Sequence, residues 1–341
     1  MQAILKLERA AGLDLGDVPV PTPGPRDVLV RVLKTGICGT DRHIYEWDAW
    51  ASGRIKPPLV AGHEFVGIVE DTGVGVRWVQ PGDRVSGEGH IGCGHCYACR
   101  TGQSHICDSV DILGVDVQGC FAPYVSLPES NIWKVDPAIC DDQACLFDPF
   151  GNAMHTVMAQ PISGKQVLVL GCGPIGLAVV VGLSTLGVEQ VFAIDKVAWK
   201  LDLAGQLGAT TFLAGEDDIL AAVREATQGR GVDWVVEACG VSETVALSLE
   251  LARVGGHATW IGNAEPTVSI SLHAVVQAEK TVMGSYGYTD ADFRRGLDLV
   301  AAGLVPADWI ADRPITFDTA PADFEALATG RWRCIKAVVV P

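Results

Sequence analysis

The apolar positions of roughly the first 150 residues come in short runs. Val28–Val32 and Phe65–Glu70 are two of them, set between Gly/Pro punctuation at Pro21–Pro25, Pro57-Pro58 and Pro81-Gly82-Asp83. Short runs bounded by turn residues predict strands, and MQAILKLERA opens the chain as the first. The first long amphipathic stretch is Asp141–Met158, predicted as a helix. Near residue 160 the texture changes. Gln166–Leu170 is a short apolar run, as expected of a strand buried in a parallel sheet. A glycine-rich turn and a helical stretch to about Leu186 follow. The alternation then repeats, with strands predicted at Val191–Ile194, Thr211–Leu213, Trp234–Glu237 and His257–Ile261. Helices are predicted between them at Lys200–Leu207, Asp217–Thr227 and Glu243–Arg253. This pattern predicts an α/β chain: a β-rich domain over 1–154, then a doubly wound parallel sheet over 155–290. The tail, 291–341, carries a helix at Asp292–Ala302 and a strand-like Ile335–Val340, and is expected to rejoin the first domain.

Bulk properties narrow the function. The chain has 341 residues, 48% hydrophobic and 19% charged, enough for two packed cores. A formal net charge of −16 argues against nucleic acid or an anionic membrane as partner. No basic segment precedes an apolar stretch at the start, and the apolar run near Ile175–Leu183 is too short to cross a bilayer. A soluble, cytoplasmic protein with reduced thiols is expected.

Three constellations carry chemistry. Cys93, Cys96, Cys99 and Cys107 follow a C-x2-C-x2-C-x7-C spacing with Gly92, Gly94 and Gly102 beside them. Four thiolates on one loop suit a structural Zn²⁺. The alternative is two disulfides, which an odd total of 11 cysteines and the absence of secretory features disfavour. The second constellation is Gly171-Cys172-Gly173-Pro174-Ile175-Gly176, between a predicted strand and helix, with Asp195 nineteen residues beyond the last glycine. That context fits a dinucleotide pyrophosphate over a helix N-terminus. A carboxylate at the end of the second strand favours NAD over NADP, while Lys200 nearby offers a positive charge. The third pairs Cys38 with His63, each in a Gly-bounded turn, as ligands for a zinc with an open position. Glu64 or Asp148 would add an oxygen ligand.

Gly62-His63-Glu64-Phe65-Val66-Gly67, the four-cysteine loop and the Gly171–Gly176 turn resemble the zinc-dependent medium-chain alcohol dehydrogenase family across essentially the whole chain. The resemblance implies a GroES-like catalytic domain built from both chain ends and a Rossmann domain between them. It implies NAD and two zinc ions per subunit. Cys38, His63 and Glu64 match the catalytic-zinc positions, and the four cysteines match the structural ones. Within the family, Lys34–Asp41, His43–Tyr45, Trp47-Asp48, Ser86–His90 and Phe147–Ala153 are most similar to the bacterial L-threonine 3-dehydrogenase branch, which is typically tetrameric. The segments holding Ile261 and Gly262, and Ser285 and Tyr286, border the nicotinamide in this family. Here the chain departs from the pattern: Tyr288 stands near an expected arginine, and Gly262–Pro266 is unusually polar.

The expected reaction is NAD-linked oxidation of a small polar secondary alcohol. Thr40 and His43 are candidates for a proton relay with the cofactor ribose. Asp148 is the candidate for tuning the metal or holding a substrate ammonium, and His90 and Asn152 are candidate substrate contacts. Arg42, Arg54 and Lys56 are the candidate cations for a substrate carboxylate. L-Threonine fits best. A polyol, a sugar acid or butanediol is the alternative within the family, and a non-catalytic NAD-binding zinc protein is the alternative outside it. A homotetramer is expected.

Overall fold

In a computed structural model, which describes residues 1–306 and 309–341, the chain divides into two compact units. One comprises Met1–Asp148 and Leu297–Pro341, and the other Pro149–Gly296.

The first unit is built on antiparallel sheet. Its largest sheet runs in the order Ile132–Lys134, Arg84–Gly87, Glu64–Thr72, Asp27–Gly36, Val338–Val339, and Tyr124–Pro128 also pairs with Asp27–Gly36. Along Asp27–Gly36 the side chains of Val28, Val30 and Val32 turn inward onto Phe65, Val69, Val85 and Val125. This inward set at alternate positions is what a half-buried strand requires. A smaller sheet pairs Gln2–Lys6 with Asp14–Asp17 and Leu59–Val60. Its core, centred on Ile4, Ile44, Val60 and Phe121, also takes in Ile315, Phe324 and Val339 from the chain's end.

One strand register brings two distant ligand-type residues together. Gly36 lies opposite Glu64 in the antiparallel pair, so Cys38 and His63, 25 residues apart in sequence, emerge at the same end of neighbouring strands. A Cβ on Gly36 would fall 2.3 Å from Glu64 Oε2, so the position accepts only glycine.

The second unit is a six-stranded parallel sheet. Its order is Thr210–Leu213, Gln190–Asp195, Gln166–Leu170, Val232–Glu237, Ala252–Trp260, Thr281–Gly284. The connections reverse direction between Gln166–Leu170 and Val232–Glu237, and ligands in such sheets bind at the carboxyl ends of the strands beside this reversal.

Some predicted bounds need correction. Asp141–Met158 is two helices, Asp141–Ala144 and Phe147–Met158. Pro149 cannot accept a helical continuation from Cys145, because its ring clashes with the carbonyl four residues back. The helix predicted to reach Arg253 stops at Leu251, and the next strand begins at Ala252 without a loop. Of Ile335–Val340 only Val338–Val339 is strand.

Candidate metal and dinucleotide sites

The first cluster is assembled by a buried acid. Asp41 is fully buried, and its carboxylate accepts hydrogen bonds from Cys38 N at 2.8 Å and Gly62 N at 3.2 Å. It thus caps the helix Gly39–Glu46 and ties the two ligand-bearing turns together. Burial raises the Asp41 carboxyl above its ordinary value, against the pull of His63. The side-chain donors of Cys38, His63 and Glu64 lie within 4.8 Å of one another. A tetrahedral zinc with ligands at 2.0–2.3 Å spaces its donors about 3.3–3.8 Å apart, so small adjustments suffice to seat one. His63 Nδ1 is buried and has no hydrogen-bond partner. Burial alone would lower the His63 pKa, but Cys38, Asp41 and Asp148 more than reverse this and raise it. A soft and a borderline donor, a buried nitrogen without a hydrogen bond and a surplus of negative charge fit a bound cation.

Glu64 is held from behind. Lys336 Nζ donates to both of its oxygens, at 2.8 and 2.6 Å, and also to Ile37 O at 3.0 Å. Both side chains are almost completely buried. Asp148 is not part of the three-donor cluster, yet it is buried and acts electrostatically on His63, Glu64, His90 and Lys336. His90 falls below its ordinary pKa because burial outweighs Asp148. Thr40 Oγ1 lies 3.9 Å from Cys38 Sγ. His43 Nδ1 is 2.6 Å from Asp48 Oδ2. Of the candidate cations, Arg42 is paired with Glu46 at 2.6 Å and Arg54 binds Asp116 through two nitrogens.

The second cluster is the four-cysteine lobe. All eleven cysteines are free thiols, and Cys96 Sγ and Cys107 Sγ stand 3.7 Å apart. The sulfurs of Cys93, Cys96, Cys99 and Cys107 also lie within 4.8 Å of one another. Backbone N–H groups point at them: Cys93 N and Ser109 N donate to Cys107 Sγ at 3.3 Å, Cys96 N to Cys93 Sγ at 3.4 Å, and Cys99 N to Cys96 Sγ at 3.5 Å. Such donors stabilise thiolates, and the Cys96 thiol falls to about 6. The set fits a closed Cys₄ zinc site.

The third site lies on the second unit. Gly171 has φ +93°, and a Cβ there would meet Cys239 Sγ at 2.5 Å. A Cβ on Gly176 would lie 1.8 Å from Gly171 O, so the helix Pro174–Thr185 approaches the strand only because position 176 is glycine. A Cβ on Gly173 would meet no protein atom within 4 Å. The space above that residue is therefore open for a ligand, as a pyrophosphate cradle requires. Pro174 occupies the first helical turn, where its missing N–H costs nothing. Asp195 ends the second strand and accepts from Cys172 N at 2.7 Å and Val197 N at 2.9 Å, which fixes its carboxylate against the glycine turn. Lys200 Nζ sits 5.9 Å from the Trp199 ring centroid.

The ends of the next two strands are bonded to each other. Ile261 N and Gly262 N donate to Glu237 O at 2.9 and 3.1 Å, and Ser285 N donates to Trp260 O at 2.9 Å. Ser285 is buried with its hydroxyl 2.9 Å from Thr156 Oγ1, whereas Tyr286 is exposed. Tyr288 is buried against Gly151 and stacks on Phe293 at 5.4 Å. Asn152 lies on the same unit, its carbonyl accepting from Thr156 Oγ1 at 2.9 Å.

Four acids and bases of these sites escape a reading of the sequence: Asp41, Asp48, Glu237 and Lys336. Asp41 carries a local signal, since a carboxylate three residues after a helix-capping position is a capping-box pattern. Lys336 carries none, because its partner is 272 residues away.

Comparison with known proteins gives a consistent result. Residues 24–137 match the alcohol dehydrogenase GroES-like domain, and residues 174–302 match the zinc-binding dehydrogenase domain. The chain is 40% identical to an L-threonine 3-dehydrogenase of Bacillus licheniformis, over 100% of this chain and 99% of that one. Among solved structures, a zinc-binding dehydrogenase from Sinorhizobium meliloti bound to NADP superposes with a TM-score of 0.89 at 32% identity, covering 100% and 99% of the two chains. The 2R,3R-butanediol dehydrogenase from Bacillus subtilis superposes with a TM-score of 0.88 at 27% identity, with the same coverage.

Proposed function

The chain belongs to the zinc-binding alcohol dehydrogenase family, as an NAD-dependent oxidoreductase, and from that premise we propose that its substrate is L-threonine, oxidised at the secondary alcohol. The observation that carries this reading is 40% identity to an L-threonine 3-dehydrogenase along the full chain.

When bound, the catalytic zinc supplies Lewis-acid polarisation of the alcohol oxygen and NAD accepts the hydride from its carbon. The protein's own residues do the rest. Cys38 and His63 hold the metal, and Asp41 keeps their turns together. Lys336 holds both Glu64 oxygens and fixes the carboxylate beside Cys38 and His63, where Glu64 would complete the three-donor set for the metal. Cys93, Cys96, Cys99 and Cys107 hold the second, structural zinc. Gly171, Gly173 and Gly176 leave room for the pyrophosphate, and Asp195 takes the ribose hydroxyls and repels a 2′-phosphate. Ile261, Gly262, Ser285 and Tyr286 form the walls toward the nicotinamide. Thr40 and His43 carry the alcohol proton away. Asp148 receives the ammonium of the substrate, with His90 as a further contact.

A second reading is a neutral vicinal diol or polyol. It is favoured by the pairing of Arg42 with Glu46 and of Arg54 with Asp116, which occupies two cations expected for a substrate carboxylate. The fold shared with a butanediol dehydrogenase fits it as well. Initial rates of NADH formation from L-threonine, 2,3-butanediol and sorbitol separate the two. We expect threonine to give the highest kcat/KM. A diol ahead of threonine by tenfold would reverse the assignment.

We also propose a cytoplasmic homotetramer. The strand Thr281–Gly284 pairs along one edge only among the described residues, and Leu272 and Val276 near it are exposed. An unpaired edge beside apolar side chains is a surface that a second copy would cover. No helix among the described residues is long and apolar enough to cross a membrane.

A further inference from the structure

His43 lies in the last turn of the helix Gly39–Glu46. On a continuous helix, residue 48 would stand about 140° around the axis from residue 43. The chain does not continue. Trp47 adopts a left-handed conformation, φ 55° and ψ 44°, with its N–H on His43 O at 3.0 Å. A bulky residue in that region costs about 1 kcal/mol or more. Lys6 stands over the Trp47 ring at 5.0 Å and is itself held by Ala10 O and Gly12 O. This reversal places Asp48 beside the imidazole.

The Asp48 carboxylate is fixed at both oxygens. Oδ1 accepts from Ala51 N at 2.9 Å and so caps the helix Ala49–Arg54. Oδ2 lies 2.6 Å from His43 Nδ1. Burial pushes the Asp48 carboxyl up, but the Ala51 N–H and His43 pull it below its ordinary value. An ionised carboxylate only accepts hydrogen bonds, so Nδ1 must be the protonated nitrogen. The free lone pair of the neutral ring then sits on Nε2. The Trp50 ring, centred 5.9 Å from the imidazole, limits its rotation.

We propose that Asp48 is a positioning residue for proton transfer: it locks His43 in the Nδ1–H tautomer and leaves Nε2 as the proton acceptor. This rests on the reading that His43 takes the alcohol proton through Thr40 and the cofactor ribose. As the alcohol becomes a ketone and NAD⁺ becomes NADH, one proton remains. It passes to Nε2, the resulting imidazolium is balanced by Asp48, and the half-exposed ring releases it to water.

Asp48→Asn isolates the effect. Asparagine caps a helix as well as aspartate does, so the fold is kept. Its amide, turned toward Nδ1, donates and selects the opposite tautomer. In a serine protease the equivalent exchange leaves geometry intact and lowers kcat about 10⁴-fold. Nitrogen NMR of ¹⁵N-histidine-labelled, zinc-loaded protein reads the tautomer, and His43→Gln assigns the signal. The wild type is expected to show protonated Nδ1 and bare Nε2, and Asp48→Asn the reverse. In the same variant kcat for the best alcohol should fall about 10²–10⁴-fold, the range for general-base catalysis, with KM changed less than about threefold. Asp48→Ser, which keeps a cap but removes the charge, should give mixed tautomers and an intermediate kcat. A wild-type His43 protonated on Nε2 overturns the proposal, and so does tautomer reversal with kcat unchanged. If instead the wild type reduces NAD with no secondary alcohol, the dehydrogenase reading fails, while the tautomer measurement still decides the role of Asp48.

Discussion

Glu237→Ala should cost the second unit about 4 kcal/mol and loosen its hold on NAD. Glu237 is fully buried at the carboxyl end of the strand Val232–Glu237. Its carboxylate accepts from Cys239 N at 2.8 Å, from Gly240 N at 2.8 and 3.0 Å, and from Thr244 Oγ1 at 2.7 Å. The turn it organises is locked against its neighbour, since a Cβ on Gly240 would lie 2.1 Å from Asn263 N. In Glu237→Ala the Thr244 hydroxyl still has Val241 O at 3.1 Å, but the two backbone donors are stranded. At about 1.5 kcal/mol per stranded N–H and about 0.8 kcal/mol for the one buried methylene removed, the sum is about 4 kcal/mol. Glu237→Gln keeps Oε1, the principal acceptor, and should cost only about 1–2 kcal/mol. Urea unfolding followed by tryptophan fluorescence measures the difference, because Trp234 is buried on the same strand. NADH titration should show binding weakened at least tenfold in the alanine variant and about threefold in the glutamine variant. Equal effects of the two substitutions, or a loss below about 1 kcal/mol for alanine, would refute the view that Glu237 satisfies otherwise unpaired donors.

The Asp292 carboxyl is pushed up by burial but pulled down to about 2 by hydrogen bonds from His155 and Thr289. A depressed folded-state pKa adds stability above the unfolded value of 3.8 that is lost as pH falls through about 2, so Asp292→Asn should lower the unfolding midpoint at pH 6 and converge with wild type near pH 2. Asp195→Ser should narrow the NAD-over-NADP preference by about 1–3 kcal/mol in kcat/KM, the scale of a charged hydrogen bond; an unchanged ratio would show that Asp195 does not select the cofactor. Zinc analysis should give two ions per chain. Cys38→Ser should lose one ion and turnover while keeping the fold, and Cys96→Ser should destabilise the protein, because structural zinc binding is folding free energy; a single zinc in the wild type contradicts this.

Local chemistry made much of this molecule legible in the sequence. The Gly171–Gly176 turn stands out because a phosphate cradle demands glycine at fixed offsets, and Gly171 and Gly176 meet atoms that exclude a side chain. The four cysteines do so because they converge from one loop. The alternation of strands and helices after residue 160 is visible because strands buried on both faces leave unbroken apolar runs, as Val167–Leu170 does. What stayed hidden depends on distant partners or on brevity. Lys336 meets Glu64 only because the strand Val338–Val339 returns beside Gly36. Glu237 looks like the last residue of a strand, and its donors come from the turn at Cys239-Gly240 and from Thr244 on the next helix, whose path sequence does not specify. Asp48 caps the helix Ala49–Arg54, and only the reversal at Trp47 turns it toward His43. The helix Ala49–Arg54 and the strand Thr281–Gly284 are too short to show a period.

Hydride transfer from a threonine-like secondary alcohol to NAD is the activity at the centre of the proposed function. The most direct test is to incubate the zinc-loaded enzyme with NAD and L-threonine carrying deuterium at C3, and to weigh the reduced cofactor by mass spectrometry. Each NADH formed should carry one deuterium, and turnover should be abolished in Cys38→Ser. NADH without deuterium, or no NADH from threonine under conditions where a diol is oxidised, would contradict it.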